Sequence, residues 1–195
     1  MAKLRIISGD LKGRYVTVAD GVDFRPTQER VRESVAEIVK RKIPGAAVAD
    51  LCAGSGAFGF EMASRGAASV DFVEVDGHAA DRIAGSAKNL GVDKKVRVIR
   101  DDVRRFAGLA AKKYDVIFYD PPYDDAGLQE LIPELLNLLS ESGLLIYERR
   151  RLHSEKRSAD TGGKTNIIDA RVYSDTVIEI YKRGDNVDSA LPGDV

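Results

Sequence analysis

Between residues 47 and 147 the chain alternates short apolar segments with segments of helical periodicity, and this alternation limits the fold more than any other feature. The apolar segments are rich in residues that favour strands, and most are followed by a helical segment that ends near a glycine. The predicted strands are 47–51, 69–74, 96–99, 114–119 and 143–147, and the predicted helices are 56–65, 77–90, 102–111 and 127–139. Repeated β-α units of this length predict an α/β fold with a parallel sheet covered by helices on both faces.

The two ends of the chain depart from this alternation. Residues 4–7 and 15–18 predict a small N-terminal β-hairpin, and a helix is predicted to begin with Thr27 as its N-cap and to end before Pro44. The charged segment 149–165 predicts a mobile loop. Two further strands with no helix between them predict a hairpin that adds an antiparallel pair to the sheet, at 166–172 and 176–182.

These elements predict one main domain with a short extension at each end. The predicted parts are the N-terminal hairpin extension (1–24), the main domain (25–183) and a polar, disordered tail (184–195).

Composition excludes several classes of protein. The 195 residues suffice for one domain with a sizeable core, and no apolar stretch approaches the length of a membrane span. The first residues do not open a signal peptide, so we predict a cytoplasmic protein that contacts no membrane. The single cysteine, Cys52, and the lack of a Cys/His cluster predict neither an intramolecular disulfide nor a metal site. We also predict a monomer.

A glycine-rich loop follows the first strand of the main domain. Gly54, Gly56 and Gly59 match the pattern G-x-G-x-x-G, and Glu74 lies 20 residues after Gly54, at the end of the next predicted strand. Glycines let the backbone approach a ligand closely, and an acid at this spacing accepts the hydroxyls of a ribose. A tight turn without a ligand would also use glycines, but the strand context and the spaced acid favour a nucleoside site.

Two aspartates favour S-adenosylmethionine over NAD as the ligand. Asp50 lies four residues before the first glycine, where a carboxylate suits a cationic amino group and would repel a pyrophosphate. Asp102 follows the third predicted strand of the main domain. It could accept a hydrogen bond from the amino group of adenine, cap the next helix, or do both.

A second motif, Asp120-Pro121-Pro122-Tyr123, follows the apolar segment 116–119. Pro121 has no N–H and restricts the residue before it, so the strand should stop at Asp120. A carboxylate, a stiff backbone corner and an aromatic ring are thereby held at the carboxyl end of a strand, where ligands bind in open α/β sheets. Taken alone, an ordinary proline turn with a solvated aspartate would explain these residues equally well.

Together, these motifs resemble the signature of class I methyltransferases that modify exocyclic amino groups. Within that group the chain resembles the bacterial 16S rRNA guanine-N2 methyltransferases of the RsmD family, over about residues 3–183. The segments that carry the resemblance are 5–9, 12–14, 25–33, 50–61, 64–67, Glu74, Asp102, 120–123 and Glu148. The family usually has Gly where Ser8 stands and Phe where Cys52 stands, and we expect Cys52 to fill space rather than to contact a ligand.

The resemblance implies a seven-stranded, Rossmann-like methyltransferase sheet with an N-terminal hairpin, and S-adenosylmethionine as the cofactor. It implies methylation of a guanine N2 in 16S rRNA, with an assembled or assembling small ribosomal subunit as the substrate. It also places Arg25 near the cleft. The residues that it assigns to the cofactor are Thr27, Arg30, Asp50, Ala53, Gly54, Ser55, Gly56, Glu74, Val75, Asp102 and Val103.

The catalytic residues are predicted from the chemistry of an amino group whose lone pair is delocalised into its ring. Asp120 can accept one N2–H and the carbonyl of Pro121 another, so that the lone pair points at the methyl group, while Pro122 stiffens the corner and Tyr123 stacks on the base. An aspartate also suits guanine, which presents N1–H and N2–H side by side. DNA adenine methylases also use Asp in similar motifs, so this residue does not separate the two substrates.

RNA contact is predicted from local charge. Residues 1–42 hold ten basic and six acidic side chains, a net charge of +4 against −1 for the whole chain. A further basic cluster begins at Arg149. A charge run is often only a solvated surface, but residues that flank the expected cleft favour phosphate contact. The predicted RNA-binding residues are Arg5, Lys12, Arg14, Arg25, Arg149 and Arg150.

Three alternatives stay open on the sequence. A DNA adenine-N6 methyltransferase would share the motifs, although no separate DNA-reading domain is visible. An NAD-dependent oxidoreductase would leave 120–123 unexplained. A catalytically idle RNA-binding assembly factor could keep the cofactor fold.

Overall fold

A computed structural model describes residues 2–19, 26–152 and 166–183. Within these residues the chain forms a two-stranded antiparallel sheet and a seven-stranded sheet. The strands are β1 (Ala2–Arg5), β2 (Tyr15–Val18), β3 (Ala47–Leu51), β4 (Ser69–Glu74), β5 (Val96–Arg100), β6 (Tyr114–Tyr119), β7 (Leu139–Arg150), β8 (Ile167–Tyr173) and β9 (Thr176–Lys182). The helices are α1 (Pro26–Val39), α2 (Ala57–Ser64), α3 (Gly77–Leu90), α4 (Val103–Leu109), α5 (Ala126–Gln129) and α6 (Ile132–Asn137).

The large sheet has the order β5-β4-β3-β6-β7-β9-β8. The five strands β3 to β7 pair in parallel, and β9 pairs antiparallel with both β7 and β8. The strand order reverses between β3 and β6, so the loops after these two strands diverge from a crevice at the carboxyl edge. The predicted α/β class, parallel core and antiparallel C-terminal pair are all confirmed.

Two apolar layers cover the sheet. On one face, α1, α2, α3 and the N-terminal hairpin pack against a row that includes Phe72, Phe118 and Ile146. On the other face, α4, α5 and α6 pack against a row that includes Val73, Tyr119 and Tyr147. Because side chains alternate along each strand, successive residues of one strand contribute to opposite layers.

Backbone N–H groups of the N-terminal hairpin donate hydrogen bonds to side chains at the end of α2. The buried carboxylate of Glu61 accepts from the N–H groups of Ile7 (2.8 Å) and Ser8 (3.0 Å). The buried hydroxyl of Ser64 accepts from the N–H of Leu11 at 2.9 Å. At Gly9, φ is +81° and an added Cβ would lie 2.0 Å from the Ser64 carbonyl oxygen, so only glycine fits this contact. The hairpin is therefore held against the main domain by α2.

Two predictions about helices are wrong. The segment 127–139 is not one helix, because α5 ends at Gln129, α6 contains Pro133 in its first turn, and Leu139 already belongs to β7. Helix α1 begins at Pro26, so Thr27 lies inside the first turn instead of at the N-cap. Proline suits a first helical position because the N–H that it lacks would have no partner there.

The predicted loop from residue 149 begins later than expected. Strand β7 runs through Arg150, because residues up to Arg150 pair with β9. The rest of that prediction, at 153–165, and the predicted tail at 184–195 lie outside the described residues. Among the described helices, none is long and apolar enough to cross a membrane.

Candidate active site

The loop between β3 and α2 contains three residues with a positive φ. Cys52, Gly54 and Gly56 have φ values of +58°, +54° and +71°. The left-handed conformation suits glycine, and it is uncommon for a side chain such as that of Cys52. The N–H of Ala53 donates to the Val73 carbonyl of β4 at 3.1 Å, which holds the loop over the carboxyl edge. The loop therefore lies where a ligand meets the strand ends.

Glu74 supports this loop from the end of β4. Its carboxylate accepts from the N–H of Gly54 at 2.7 Å and from the N–H of Asp76 at 2.8 Å. Each carboxylate oxygen has a second lone pair, so the same group can still accept from a ligand hydroxyl. Glu74 is mostly buried and lines the crevice, as the predicted ribose acid should.

Asp50 is buried at the end of β3, facing the first turn of α2. Its carboxylate accepts from the N–H of Gly59 at 2.8 Å. Burial, and to a smaller extent the charges of Asp120 and Glu74, raise the pKa of Asp50 to about 8, against the opposing effect of the Gly59 hydrogen bond. No cation pairs with this carboxylate among the described residues. A buried carboxylate beside a cavity is suited to a cationic ligand group.

Asp102 has the capping role that the sequence allowed. It is the N-cap of α4 and accepts from the N–H of Arg104 at 2.7 Å. Its side chain is about half exposed and lies 3.4 Å from the Arg104 guanidinium. It also lines a cavity between α4 and the motif 120–123, where the Oδ2 that accepts from Arg104 has a second lone pair for a ligand.

The motif 120–123 leaves the sheet at the neighbouring strand. Strand β6 stops at Tyr119, as predicted, and Asp120 follows at the edge. Burial raises the pKa of Asp120 well above that of an ordinary carboxyl. Glu148, in β7, also has a raised pKa, first through burial and then through the charge of Asp120. Tyr123 is 42% exposed, and its hydroxyl lies near the side chains of Glu148 and Thr176.

Two cavities meet at this edge. The first, of about 580 Å³, extends from Asp50 and the glycine loop to the hairpin and α1. The second, of about 640 Å³, lies between α4 and the motif 120–123. Both volumes suit a ligand of nucleoside size. The residues that line both cavities are Cys52, Gly54, Glu74, Asp120 and Glu148.

The family follows from comparison with known proteins. The family model described as Conserved hypothetical protein 95 matches residues 4–182. A ribosomal RNA small subunit methyltransferase D from Escherichia coli is 34% identical over 148 residues, which are 75% of this chain and 71% of that protein. The chain belongs to the RsmD family.

Two further comparisons extend over almost the whole chain. A Bacillus subtilis protein provisionally named as an rRNA methyltransferase is 33% identical over 92% of this chain and 99% of its own length. A solved Escherichia coli structure, provisionally described as a methyltransferase, has a TM-score of 0.82 and 27% identity, and covers 95% of this chain and 100% of its own. The fold is that of the class I methyltransferases.

Most residues that the RsmD-family resemblance assigned to the cofactor line the two cavities. The first cavity brings together Asp50, Ala53, Gly54, Ser55 and Glu74, and the second contains Val75, Asp102 and Val103. Gly56 shapes the loop, because its φ lets α2 begin there. Arg30 is exposed and lines neither cavity, so its assignment is not supported. The Thr27 side chain and Arg25 lie outside what the structure describes.

Arg32 is a cavity residue that sequence reasoning missed. It projects from α1 into the first cavity, and its Nε is buried without a hydrogen-bond partner. Burial lowers the pKa of Arg32, while the charges of Glu61 and Glu29 raise it. The signal was present in the sequence, because Arg32 lies in the segment 25–33 that carries the family resemblance, beside the predicted Arg30.

The predicted RNA-binding arginines divide into two groups. Arg14 donates to the carbonyl of Leu90 at 2.9 Å and to that of Asn89, so it satisfies the end of α3. Arg149 forms an ion pair with Glu179 at 2.9 Å. Both side chains therefore have structural partners that the prediction did not include. Arg5, Lys12 and Arg150 are exposed, as is Arg14.

Proposed function

We propose that this protein transfers a methyl group from S-adenosylmethionine to the exocyclic N2 of a guanine in 16S rRNA. One observation carries the proposal: Asp120 and the motif it opens lie where a nucleoside-sized cavity next to Asp50 meets a second cavity of similar size. Membership of the RsmD family supports ribosomal RNA as the substrate. The assembled or assembling small subunit is the proposed form of that substrate, which would place the protein in the cytoplasm.

The residues of the first cavity fit the cofactor. Asp50 would accept the amino group of the methionine part, and Arg32, with its unpartnered Nε, would bind the carboxylate. Glu74 would accept from the ribose hydroxyls, and Asp102 from the adenine amino group. When bound, S-adenosylmethionine supplies a methyl group on a sulfonium, which has a good leaving group built in. No group of three or more potential metal ligands lies together among the described residues.

The protein's own contribution is to orient and desolvate the amino group. Asp120 accepts one N2–H, and the carbonyl of Pro121 is placed to accept the other, which directs the nitrogen lone pair at the methyl group. As the nitrogen gains positive charge, the carboxylate of Asp120 stabilises it and then accepts a proton. Tyr123 presents an exposed ring on which an unstacked base can lie.

The RNA would be positioned by exposed cations around the crevice. Arg5 and Lys12 on the hairpin extension, together with Arg150, meet this requirement among the predicted residues. Arg14 and Arg149 are assigned mainly to structure, so we expect their loss to reduce stability before it reduces RNA affinity. The domain division that we propose is a hairpin extension at 1–24, a main domain at 25–183 and a tail at 184–195.

The test is methyl transfer with labelled S-adenosylmethionine to small ribosomal subunits, free 16S rRNA and DNA in parallel, followed by mapping of the modified base. We expect label on one guanine N2 in the ribosomal substrates and none on DNA. Asp120→Ala should abolish transfer but leave cofactor affinity within about threefold, because Asp120 acts on the base. Adenine-N6 label on DNA, or a variant with near-normal turnover, would contradict the assignment.

A further inference from the structure

Two carboxyl side chains, not one, are placed at the end of the strands beside the crevice. Strands β6 and β7 pair in parallel with Tyr119 opposite Tyr147, so Asp120 and Glu148 are the next residues of each strand. Side chains of paired residues in parallel strands point to the same face, and the alternation puts both on the Phe118 side. Both residues line both cavities.

Glu148 has no cationic partner among the described ion pairs, although a basic residue follows it in sequence. Arg149 points away from it and pairs with Glu179, as the strand alternation requires. The groups that face Glu148 are the Asp120 carboxyl and the Tyr123 hydroxyl. A partly buried carboxylate in this setting needs donors from a ligand.

We infer that Glu148 accepts the N1–H of the target guanine while Asp120 accepts an N2–H, so that Glu148 is a specificity-determining residue. The inference rests on the proposed function. The Watson–Crick edge of guanine offers two adjacent N–H donors, which match two adjacent carboxylates. Adenine carries an acceptor at N1, which would leave Glu148 unpaired and repelled. With Glu148 accepting the N1–H, the Asp120 carboxylate is left to the reacting amino group alone.

This division of roles also explains the contact with Tyr123. One oxygen of Glu148 can accept from the Tyr123 hydroxyl while the other accepts from N1–H. The stacking ring and the base edge are then fixed by the same carboxylate. Binding of a base without N1–H would disturb both contacts.

The test compares RNA substrates that carry guanine or 2-aminopurine at the position mapped above. 2-Aminopurine keeps the N2 amino group but has no hydrogen at N1. For the wild-type protein we expect kcat/KM to be roughly ten- to a hundredfold lower with 2-aminopurine. Glu148→Gln should reduce this preference to about threefold or less, because the amide can donate to an unprotonated N1. The exposed Glu141→Gln is the matched control and should keep the wild-type preference.

The analogue also lacks the O6 of guanine, but that loss is common to all variants and cancels in the comparison of preferences. Glu148→Ala should lower the guanine rate and also abolish the preference. If both Glu148 variants lower the two rates by the same factor, the residue is structural and the inference is overturned. Failure of the wild-type protein to methylate guanine at all would instead overturn the proposed function. Glu148→Gln preserves the side-chain shape, so the test does not depend on the folding of the alanine variant.

Discussion

Binding of S-adenosylmethionine should release protons, because the ligand's amino group needs an ionised Asp50. In the free protein the pKa of Asp50 is about 8, mainly through burial, so about nine in ten molecules carry the proton at pH 7. Ionisation on binding would release about 0.9 proton. The amino group, with a reference pKa of about 7.7–8.0, takes up roughly 0.1–0.2 proton. The expected net release is therefore about 0.7–0.8 proton per cofactor from this pair.

Isothermal titration calorimetry measures this quantity directly. The binding enthalpy at pH 7 is recorded in buffers with different ionisation enthalpies, and the slope gives the number of protons released. Asp50→Asn is the matched variant, since its amide oxygen can still accept from the Gly59 N–H. We expect weaker binding and loss of most of the proton release in this variant. Equal release in both proteins, or no release in the wild type, would refute the reasoning.

Three further predictions concern stability and binding. Asp71 is buried and accepts from Tyr114, Arg97 and Lys112. Asp71→Ala leaves the buried Tyr114 hydroxyl without its partner, while the two exposed cations are solvated, so the free energy of unfolding in urea should fall by about 1–3 kcal/mol. No measurable loss would contradict this. Gly59→Ala should destabilise the protein, because the added Cβ would lie 2.2 Å from the buried ring of Phe72. Gly85→Ala has open space around the added Cβ and should raise the free energy of unfolding by up to about 1 kcal/mol. Equal changes in the melting temperatures of the two variants would contradict this prediction. Arg32→Gln should raise the Kd for S-adenosylmethionine roughly tenfold or more, but leave the Kd for decarboxylated S-adenosylmethionine unchanged. Equal effects on the two dissociation constants would show that Arg32 does not bind the carboxylate.

The sign of the Asp50 effect on stability follows from the same pKa. A carboxyl whose pKa is raised by folding favours the folded state only while it is protonated, below its unfolded pKa of about 4. That contribution is lost progressively as the pH rises from about 4 to about 8. The cofactor-free Asp50→Asn variant should therefore melt at a higher temperature than the wild type at pH 8, and the difference should shrink towards pH 4. A lower melting temperature at pH 8 would contradict the assigned burial cost.

The sequence predicted correctly those strands whose ends are marked by residues close by in the chain. The segments 47–51, 69–74 and 114–119 are strands with the predicted bounds, because each is followed within three residues by a glycine, an aspartate or a proline. The segment 127–139 failed for a different reason. Its leucines repeat with a helical period, but Pro133 starts a new helix and Leu139 pairs with Tyr114 in the sheet.

The candidate site also contains residues that the sequence could predict and contacts that it could not. Asp50, Glu74 and Asp120 could be predicted because each lies at the carboxyl end of a strand that the sequence marks. The partners of Arg14 and Arg149 could not, since the α3 carbonyls lie 75 and 76 residues away from Arg14, and Glu179 lies 30 residues from Arg149. Charge alone cannot separate a surface that awaits RNA from an arginine that closes a helix.

Cys52, whose backbone is in the left-handed conformation, can serve as a chemical reporter of ligand binding in the crevice. It is the chain's single thiol, and it lines both cavities at the point where they meet. Burial raises its pKa to about 12, so only about one molecule in a hundred thousand carries the reactive thiolate at pH 7. Simple alkylating reagents should therefore modify it slowly, while an electrophile carried on a nucleoside scaffold is delivered directly beside it. Reaction at Cys52 would therefore report directly that the crevice is occupied by such a ligand.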